Sequence, residues 1–246
     1  MTQHWPVARL GLALIKGTRH VDRDEIELDV RGPVGDRSFC LVDRAAARVL
    51  RTVENPSLLQ LVARDLGDGL AVTTPDGQTT EGWTSDAADG IPAADYWGRG
   101  ARIRLQDSPL NALFSAHLGR EVTLARAERG DVVYAEPVSI VTTGALRRLC
   151  EALESAGYAV PPALDVRFRA TVTLDADDDP VPGTRMRLGD ADVEVGQPLE
   201  RCAVIDLDPD TGERTSRLLE HLRAADGRLL FGVGARVVSP GRLRRA

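Results

Sequence analysis

The chain of 246 residues is 43% hydrophobic and 28% charged, which is typical of a globular protein with a sizeable core and excludes a chain that is disordered throughout. Its net charge of −6 disfavours nucleic-acid binding, which usually needs a basic surface. Because it lacks a long apolar run and a signal peptide and carries three cysteines, we expect no membrane contact and free thiols in a reducing cytoplasm.

The first half of the chain predicts strands and turns. Residues 25–30 alternate between polar and apolar, the period of a half-buried strand, and Pro75-Asp76-Gly77 between two short runs predicts a hairpin. Residues 109–118 have apolar positions at helical spacing and stop at Gly119, which predicts a helix. Further strands are predicted over 7–16, 38–42, 48–50 and 102–105.

The second half also predicts strands, with two more helices. The strands are expected over 121–125, 138–142, 168–174, 186–188, 191–195, 203–207 and 229–238, and the helices over 145–156 and 215–224. Many short strands with few helices predict a β-rich α+β fold with a barrel-like architecture. We place a domain boundary near the first helix, with an N-terminal domain at 1–118 and a C-terminal domain at 119–246.

The three cysteines have different settings. Cys40 lies in a predicted strand and Cys150 in a predicted helix, where a buried thiol is the ordinary outcome. Cys202 follows a turn, stands at a junction between a loop and a strand, and has Arg201 beside it. Because a neighbouring positive charge favours the thiolate, Cys202 is the candidate nucleophile or metal ligand.

The segment around Cys202, residues 199–213, reads LERCAVIDLDPDTGE, in which "RC" is followed by an apolar run and "DPDTG". This pattern resembles the signature of the MOSC family, which is named after the C-terminal domain of molybdenum cofactor sulfurase. Residues 167–169 resemble its "RFR", and residues 230–232 its "LFG". Residues 35–37 and 41–43, GDR and LVD, resemble the N-terminal MOSC-associated β-barrel domain.

This resemblance implies a MOSC-type β-barrel with a smaller N-terminal β-barrel-like domain. In relatives, which include the bacterial counterparts of the mitochondrial amidoxime-reducing component, the matching cysteine either ligates molybdenum or carries sulfur as a persulfide. The resemblance therefore implies Cys202 and Arg201 as catalytic residues. It implies a further set of positions that would bind the molybdenum cofactor, without a covalent bond to it: Arg37, Arg51, Thr142, Arg169 and Thr171.

Three functions remain open. The favoured one is a sulfur carrier or sulfurtransferase, in which Cys202 takes sulfane sulfur from a donor such as a pyridoxal-phosphate cysteine desulfurase and passes it to a small-molecule acceptor. It is favoured because Ala170 and Thr171 replace the family's Pro and Asn, and Val53 stands where Arg is usual. The second is a molybdenum-dependent reductase of N-hydroxylated compounds, served by a separate electron-transfer protein. The third is a non-catalytic binder of a small anionic ligand.

Two features of composition have more than one interpretation. Lys16 is the only lysine among 31 cationic residues, which reflects either a GC-rich genome or a use of arginine side chains to hold phosphate or carboxylate. The aromatic residues Trp83, Tyr96, Trp97 and Tyr134 can gate a cleft, but we expect them to pack in the core or between the domains.

Overall fold

A computed structural model describes residues 5–88, 93–224 and 226–246 of the chain. The strands in these ranges are β1 (Val7–Leu12), β2 (Val21–Arg23), β3 (Glu25–Asp29), β4 (Gly32–Pro33), β5 (Phe39–Asp43), β6 (Arg48–Val49), β7 (Val62–Asp65), β8 (Gly69–Thr73), β9 (Thr79–Trp83), β10 (Ser85–Asp86), β11 (Ala93–Tyr96), β12 (Arg99–Asp107), β13 (Thr123–Ala127), β14 (Val138–Thr142), β15 (Val172–Leu174), β16 (Arg185–Leu188), β17 (Ala191–Glu200), β18 (Leu230–Ser239) and β19 (Gly241–Arg244). The helices are α1 (Leu110–Leu118), α2 (Thr143–Ser155) and α3 (Leu164–Arg167), with short 3-10 turns at Pro56–Gln60, Ala203–Asp206 and Leu218–Leu222. The predicted β-rich α+β class is confirmed.

A closed barrel of five strands forms one half of the molecule. Its strands follow the order β12-β11-β6-β5-β13, and the pairing of β13 with β12 closes the ring. Successive side chains of a strand face opposite sides, so one set points inward and buries Val42, Tyr96 and Ile103. Because these side chains fill the interior, the loops at the ends of the barrel are the part available for a site.

A seven-stranded sheet forms the other half, in the order β16-β17-β18-β14-β15-β1-β2. Its core includes Leu10, Leu28, Val172 and Val193. The neighbours β14 and β15 run parallel, so the chain must cross over between them, and the crossover contains α2 and α3. The arrangement carries the segment before β15, which includes Arg169, to one end of the sheet.

The two halves exchange strands. β1, from the start of the chain, pairs with β15 in the seven-stranded sheet, with Leu10 opposite Val172. β13, which follows α1, pairs with β5 and β12 in the barrel. The domain boundary between residues 118 and 119 stays a prediction, and the interleaved pairing means that segments from both ends of the chain border the junction between the halves.

Helix α2 matches the helix predicted over 145–156 and shows why it begins where it does. The Thr142 hydroxyl accepts a hydrogen bond from the backbone N–H of Ala145 at 3.2 Å, which satisfies a donor that the first helical turn leaves free. Leu149 and Leu153 lie on the buried face of this helix. None of the helices in the described ranges is long and apolar enough to cross a membrane.

Three predicted elements were wrong. The strand predicted over 168–174 is confined to β15, because the chain turns at Arg169, whose φ is +52°. The strand predicted over 203–207 is a 3-10 turn. The helix predicted over 215–224 contains only the 3-10 turn Leu218–Leu222. The Asp206 carboxylate accepts the backbone N–H of Leu219, which a helix from Thr215 onward would direct to the carbonyl oxygen of Thr215.

Candidate functional site

A cavity of about 320 Å³ lies where loops of the barrel meet the end of the seven-stranded sheet. It brings together several of the residues singled out in the sequence. Those that line it are Arg37, Arg51, Arg169, Arg201 and Cys202. Because they come from distant parts of the chain, only the packing of the two halves makes them neighbours.

Cys202 is the thiol of this cavity. It follows β17 in extended conformation, and its carbonyl oxygen accepts the N–H of Ile205 at 3.3 Å, which begins the next 3-10 turn. Its side chain is exposed, whereas Cys40 is buried in the barrel. Burial raises the pKa of the Cys40 thiol to about 12, so the two thiols are expected to differ in reactivity as the sequence analysis anticipated.

Arg201, the neighbour of Cys202, is fixed by main-chain oxygens. Its Nε donates to the carbonyl of Phe231 at 2.8 Å and its Nη1 to the carbonyl of Phe168 at 3.1 Å. Its Nη2 is buried and has no hydrogen-bond partner. Burial is also the main reason why the pKa of Arg201 falls to about 10. A guanidinium held in this way keeps the N–H donors of its Nη2 for a ligand.

Arg169 and Arg37 both have left-handed backbones. Their φ angles are +52° and +46°, a region that residues other than glycine enter at a cost. The Nη2 of Arg169 donates to the carbonyl of Thr18 at 2.8 Å, and burial, with Arg37 nearby, lowers the pKa of Arg169 to about 9. Arg37 forms an ion pair with Asp36, whose carboxylate also accepts the N–H of Ala13 at 2.9 Å.

Lys16 is a site residue that the sequence analysis did not place. It follows β1 and its Nζ lies 5.5 Å from the centre of the Tyr96 ring on the cavity wall. Burial lowers the pKa of Lys16 to about 7, and the charges of Arg37 and Arg169 add to the effect. Lys16 is the only lysine in the sequence, and this could have marked it as unusual. Composition does not show, however, that Lys16 lies in the same cavity as Cys202.

Thr142 and Thr171 lie behind the wall instead of on it. Thr142 caps α2 and donates a hydrogen bond to Asp179 at 2.8 Å. The Thr171 hydroxyl accepts the backbone N–H of Ser139 at 3.2 Å, and Ser139 itself lines the cavity. Burial raises the pKa of Asp179, whose charge acts on Arg201. Both threonines therefore reach the cavity only through a neighbour, and their role in cofactor binding stays a prediction.

Arg51 has partners of its own. It lies 3.3 Å from Glu54 and 3.6 Å from Asp95 in ion pairs, and its guanidinium stacks 4.2 Å above the ring of Trp97. Two carboxylates thus balance its charge. Arg51 therefore contacts Trp97 and two carboxylates, and its stacked guanidinium helps to orient the Trp97 ring at the cavity.

The DPDTG turn joins the two halves. The Asp208 carboxylate accepts the N–H groups of Asp210 and Thr211, each at 2.9 Å. Arg167, which is fully buried, lies 3.4 Å from the same carboxylate. On the outside of the turn, Gln60 donates to the carbonyl of Thr211 at 2.8 Å. The motif therefore holds the loop after Cys202 against the barrel side.

Three of the four aromatic residues that we expected to pack in the core or between the domains are exposed. Tyr96 is buried in the barrel, as predicted, but Trp83, Trp97 and Tyr134 are exposed. Trp97 and Tyr134 line the cavity. Their loops face the junction between the halves, which short-range sequence patterns do not reveal.

Comparison with known proteins agrees with the motif analysis. The model of the MOSC domain family matches residues 116–245. Among solved structures, one described only as a hypothetical protein is 14% identical, with 99% of this chain and 65% of that chain covered and a TM-score of 0.40. The YuaD protein from Bacillus subtilis is 13% identical, with 98% and 91% covered and a TM-score of 0.46.

A further solved structure, YiiM from Geobacillus stearothermophilus, is 18% identical, with 44% of this chain and 50% of that chain covered and a TM-score of 0.32. The chain thus spans less than two thirds of the length of the hypothetical protein and half of YiiM. A comparison with curated proteins found no match.

Proposed function

The chain belongs to the MOSC family, and from this premise we propose that it is an enzyme that binds the molybdenum cofactor in the cavity and reduces N-hydroxylated compounds. Cys202 would be the thiolate ligand of molybdenum. The recessed cations would hold the phosphate of the pterin, and electrons would come from a separate electron-transfer protein. The substrate is a small molecule that enters from the open side of the cavity.

The observation that carries this proposal is a set of buried cations that form no direct ion pair with a carboxylate. Within the described parts of the chain, Lys16, Arg169 and Arg201 form no ion pair with a carboxylate, although all three line the cavity. Removing cations from water without a counter-charge is costly. A bound polyanion would offset that cost, and a phosphate is well matched to guanidinium and ammonium donors.

The residues present fit the cofactor. Sulfur is a soft ligand of the kind that molybdenum accepts, and Cys202 supplies a free thiol at an exposed position. The buried Nη2 of Arg201 is a donor without a partner. In the described ranges no group of three or more His, Cys, Asp or Glu residues could hold a metal ion, so Cys202 is the residue of this cavity that would bind the metal of the cofactor.

The side chains divide the work between binding and catalysis. The bound cofactor would supply a metal that takes up and releases electrons. Arg169 and Arg201 would orient the anionic end, because main-chain oxygens already fix both guanidinium groups. Lys16, whose pKa of about 7 lets it exchange a proton near neutrality, would supply protons for the water that leaves when an N–O bond is reduced.

Sulfur transfer is the second candidate, and the positions of the two threonines favour it. Thr142 and Thr171, which the resemblance assigned to the cofactor, do not line the cavity. In this reaction the Cys202 thiolate attacks the terminal sulfur of a donor persulfide. A new S–S bond forms on Cys202, the old S–S bond breaks, and the donor leaves as a thiolate. Transfer to a nucleophilic acceptor returns the Cys202 thiolate.

The test is the molybdenum and pterin content of the purified chain. The protein is produced with molybdate in a host that makes the cofactor, and metal is measured by mass spectrometry beside pterin fluorescence. We expect near-stoichiometric molybdenum in the wild type and a loss of most of it in Cys202→Ala. Cys150→Ala is the matched control, because Cys150 lies on α2, away from the cavity lining, and should leave the content unchanged.

The two candidates predict opposite results. A chain without molybdenum or pterin refutes the reductase proposal. If that chain accepts a persulfide from a cysteine desulfurase on Cys202, seen as a mass increase of one sulfur atom that Cys202→Ser abolishes, sulfur transfer replaces it. Molybdenum that remains at wild-type levels in Cys202→Ala would refute the assigned ligand.

A further inference from the structure

A second cavity, with a volume of about 630 Å³, lies between the end of α2 and the segment that follows the DPDTG turn. Helix α2 contributes Leu153, the turn after it contributes Tyr158, and residues 214–218 supply most of the polar groups. Within the described ranges it shares no lining residue with the cavity beside Cys202. Its volume is in the range of sites that bind small organic molecules, about 300–1,000 Å³.

The aromatic surface of the second cavity is fixed by the end of α2. Gly157 has a φ of +78°, and the N–H of Tyr158 donates to the carbonyl oxygen of Leu153 at 2.9 Å, which is the pattern of a helix C-cap. The Tyr158 ring meets His221 edge to face, with centroids 4.9 Å apart, yet 43% of the residue is exposed. A ring that is held in place but open to water can pack against a flat ring at little entropic cost.

The polar part of the wall holds a hydroxyl proton without an acceptor. The Nη2 of Arg167 donates to the Thr215 hydroxyl oxygen at 2.9 Å. Because a guanidinium only donates, the Thr215 hydroxyl directs its own proton elsewhere, and among the described residues that proton has no acceptor. The neighbouring Ser216 differs, since its hydroxyl donates to the carbonyl of Asp206 at 3.2 Å. Thr215 therefore offers a hydrogen-bond donor to a molecule in the second cavity.

Two arginine residues close to Thr215 in the sequence also keep free donors. The Nη2 of Arg214 forms an ion pair with the buried Asp206 at 2.6 Å, and its Nε and Nη1 have no partner in the described parts of the chain. Arg217 lies 3.9 Å from Glu220, a separation too long for a hydrogen bond. Both arginine side chains line the cavity. Donors from three side chains suit an anion with several acceptor oxygens, such as a phosphate monoester.

Glu220 narrows the class of anion. Its carboxylate lines the same cavity and only accepts hydrogen bonds, so it repels a bare anion but suits a molecule that also carries hydroxyl groups. The second cavity thus combines an aromatic surface, donors for a phosphate and an acceptor for hydroxyl groups. A nucleoside monophosphate has the three matching parts, which are a flat base, a phosphate and a ribose.

We propose that the second cavity is a binding site for a nucleoside monophosphate. The base packs against Tyr158, the phosphate accepts hydrogen bonds from Thr215 and from the two arginine residues, and a ribose hydroxyl donates to Glu220. The site goes beyond the proposed function, because its residues are separate from the cations and the thiol that would bind the molybdenum cofactor.

Three probes test the site. Adenosine monophosphate, adenosine and inorganic phosphate are titrated into the full chain by calorimetry. We expect adenosine monophosphate to bind more tightly than adenosine by about 10-fold or more, since adenosine lacks the charged acceptor. It should bind more tightly than inorganic phosphate by about 2- to 10-fold, since phosphate lacks the ring.

Two variants assign the contacts. Arg217→Gln should weaken the binding of adenosine monophosphate by about 10-fold, because it removes a charged donor. Tyr158→Leu should weaken it by about 2- to 10-fold and leave the affinity for inorganic phosphate unchanged. Both residues are exposed, so their variants should fold, and a melting curve for each variant checks that the fold is retained.

Matched controls exist elsewhere on the molecule. Arg228 belongs to an exposed ion pair with Asp226, and Trp83 is 62% exposed on β9. Neither Arg228 nor Trp83 lines the second cavity. Arg228→Gln and Trp83→Leu should therefore bind adenosine monophosphate as tightly as the wild type does.

The outcomes separate this inference from the proposed function. No binding of adenosine monophosphate at millimolar concentration, or equal affinity for it and adenosine, overturns the inference. Binding that is unchanged in both Arg217→Gln and Tyr158→Leu also overturns it, because the nucleotide then occupies another place, such as the cations near Cys202. A chain without molybdenum that binds the nucleotide through Arg217 and Tyr158 refutes the proposed function and supports the second site. A chain loaded with molybdenum that does not bind the nucleotide has the opposite meaning.

Discussion

Replacing Gly212 by alanine tests how the loop after Cys202 is held against the barrel side. Gly212 has a φ of +76°, and a Cβ atom there would lie 2.4 Å from the carbonyl oxygen of Pro56. Ordinary contact begins at 3.4 Å, so the DPDTG turn and the 3-10 turn at Pro56–Gln60 must separate by about 1 Å. Because both contacting groups are backbone, no side-chain rotation can relieve the overlap.

The expected loss of stability has three contributions. The left-handed backbone costs alanine about 1–2 kcal/mol, and the overlap costs about 1–3 kcal/mol if it resembles overpacking in a core. The stiffer unfolded chain returns about 0.4–1 kcal/mol. The net destabilisation of Gly212→Ala is therefore about 2–4 kcal/mol, which lowers the melting temperature by about 4–16 °C in a chain of this size.

Gly77→Ala is the matched control. Gly77 has a φ of +83°, and a Cβ there would meet nothing within 4 Å. Gly77→Ala places alanine in a left-handed backbone conformation but creates no steric overlap. We therefore expect it to lower the free energy of unfolding by about 1 kcal/mol or less. Calorimetry and urea unfolding of the two variants measure the difference. Equal losses in Gly212→Ala and Gly77→Ala would refute the reasoning that the turn is pressed against the barrel side.

Three further predictions follow from the charged and thiol groups. Since burial lowers the pKa of Lys16 to about 7, its acylation, read by peptide mapping, should reach half its maximal rate near pH 7, and a rate still rising beyond pH 9 contradicts this. Iodoacetamide at pH 8 should alkylate exposed Cys202 first and buried Cys40, with a pKa of about 12, last; mass spectrometry that finds the reverse order refutes it. Asp206→Asn should lower the free energy of unfolding by about 2–4 kcal/mol, because its buried carboxylate forms an ion pair with Arg214 at 2.6 Å. Asp226→Asn, which removes an exposed ion pair with Arg228, should have little effect on the free energy of unfolding.

Local sequence patterns were enough for much of the fold. The helix α2 was predicted because an amphipathic run ends at Gly157, and β3 because polar and apolar residues alternate. These signals arise within a few residues of chain. The RC and DPDTG motifs likewise indicated the family, since each motif is a contiguous stretch of sequence. The catalytic role of Cys202 stays a prediction.

Where a long-range contact replaced a local one, the prediction failed. The segment 215–224 has the periodicity of a helix, but its backbone donors bond to the buried Asp206. The segment 168–174 reads as a strand, but Arg167 is buried against the DPDTG turn and the chain must bend after it. In both cases the competing partner is far enough along the chain that periodicity does not include it.

By itself, then, the sequence determined the β-rich class, the main helices and the family, because these depend on neighbouring residues. Only the tertiary structure decided which other groups share the cavity. Lys16 reaches it because β1 pairs with β15, and Trp97 and Tyr134 reach it because two barrel loops end at the junction of the halves. Cation clustering and aromatic exposure are properties of packed surfaces, so they arise only when distant segments meet.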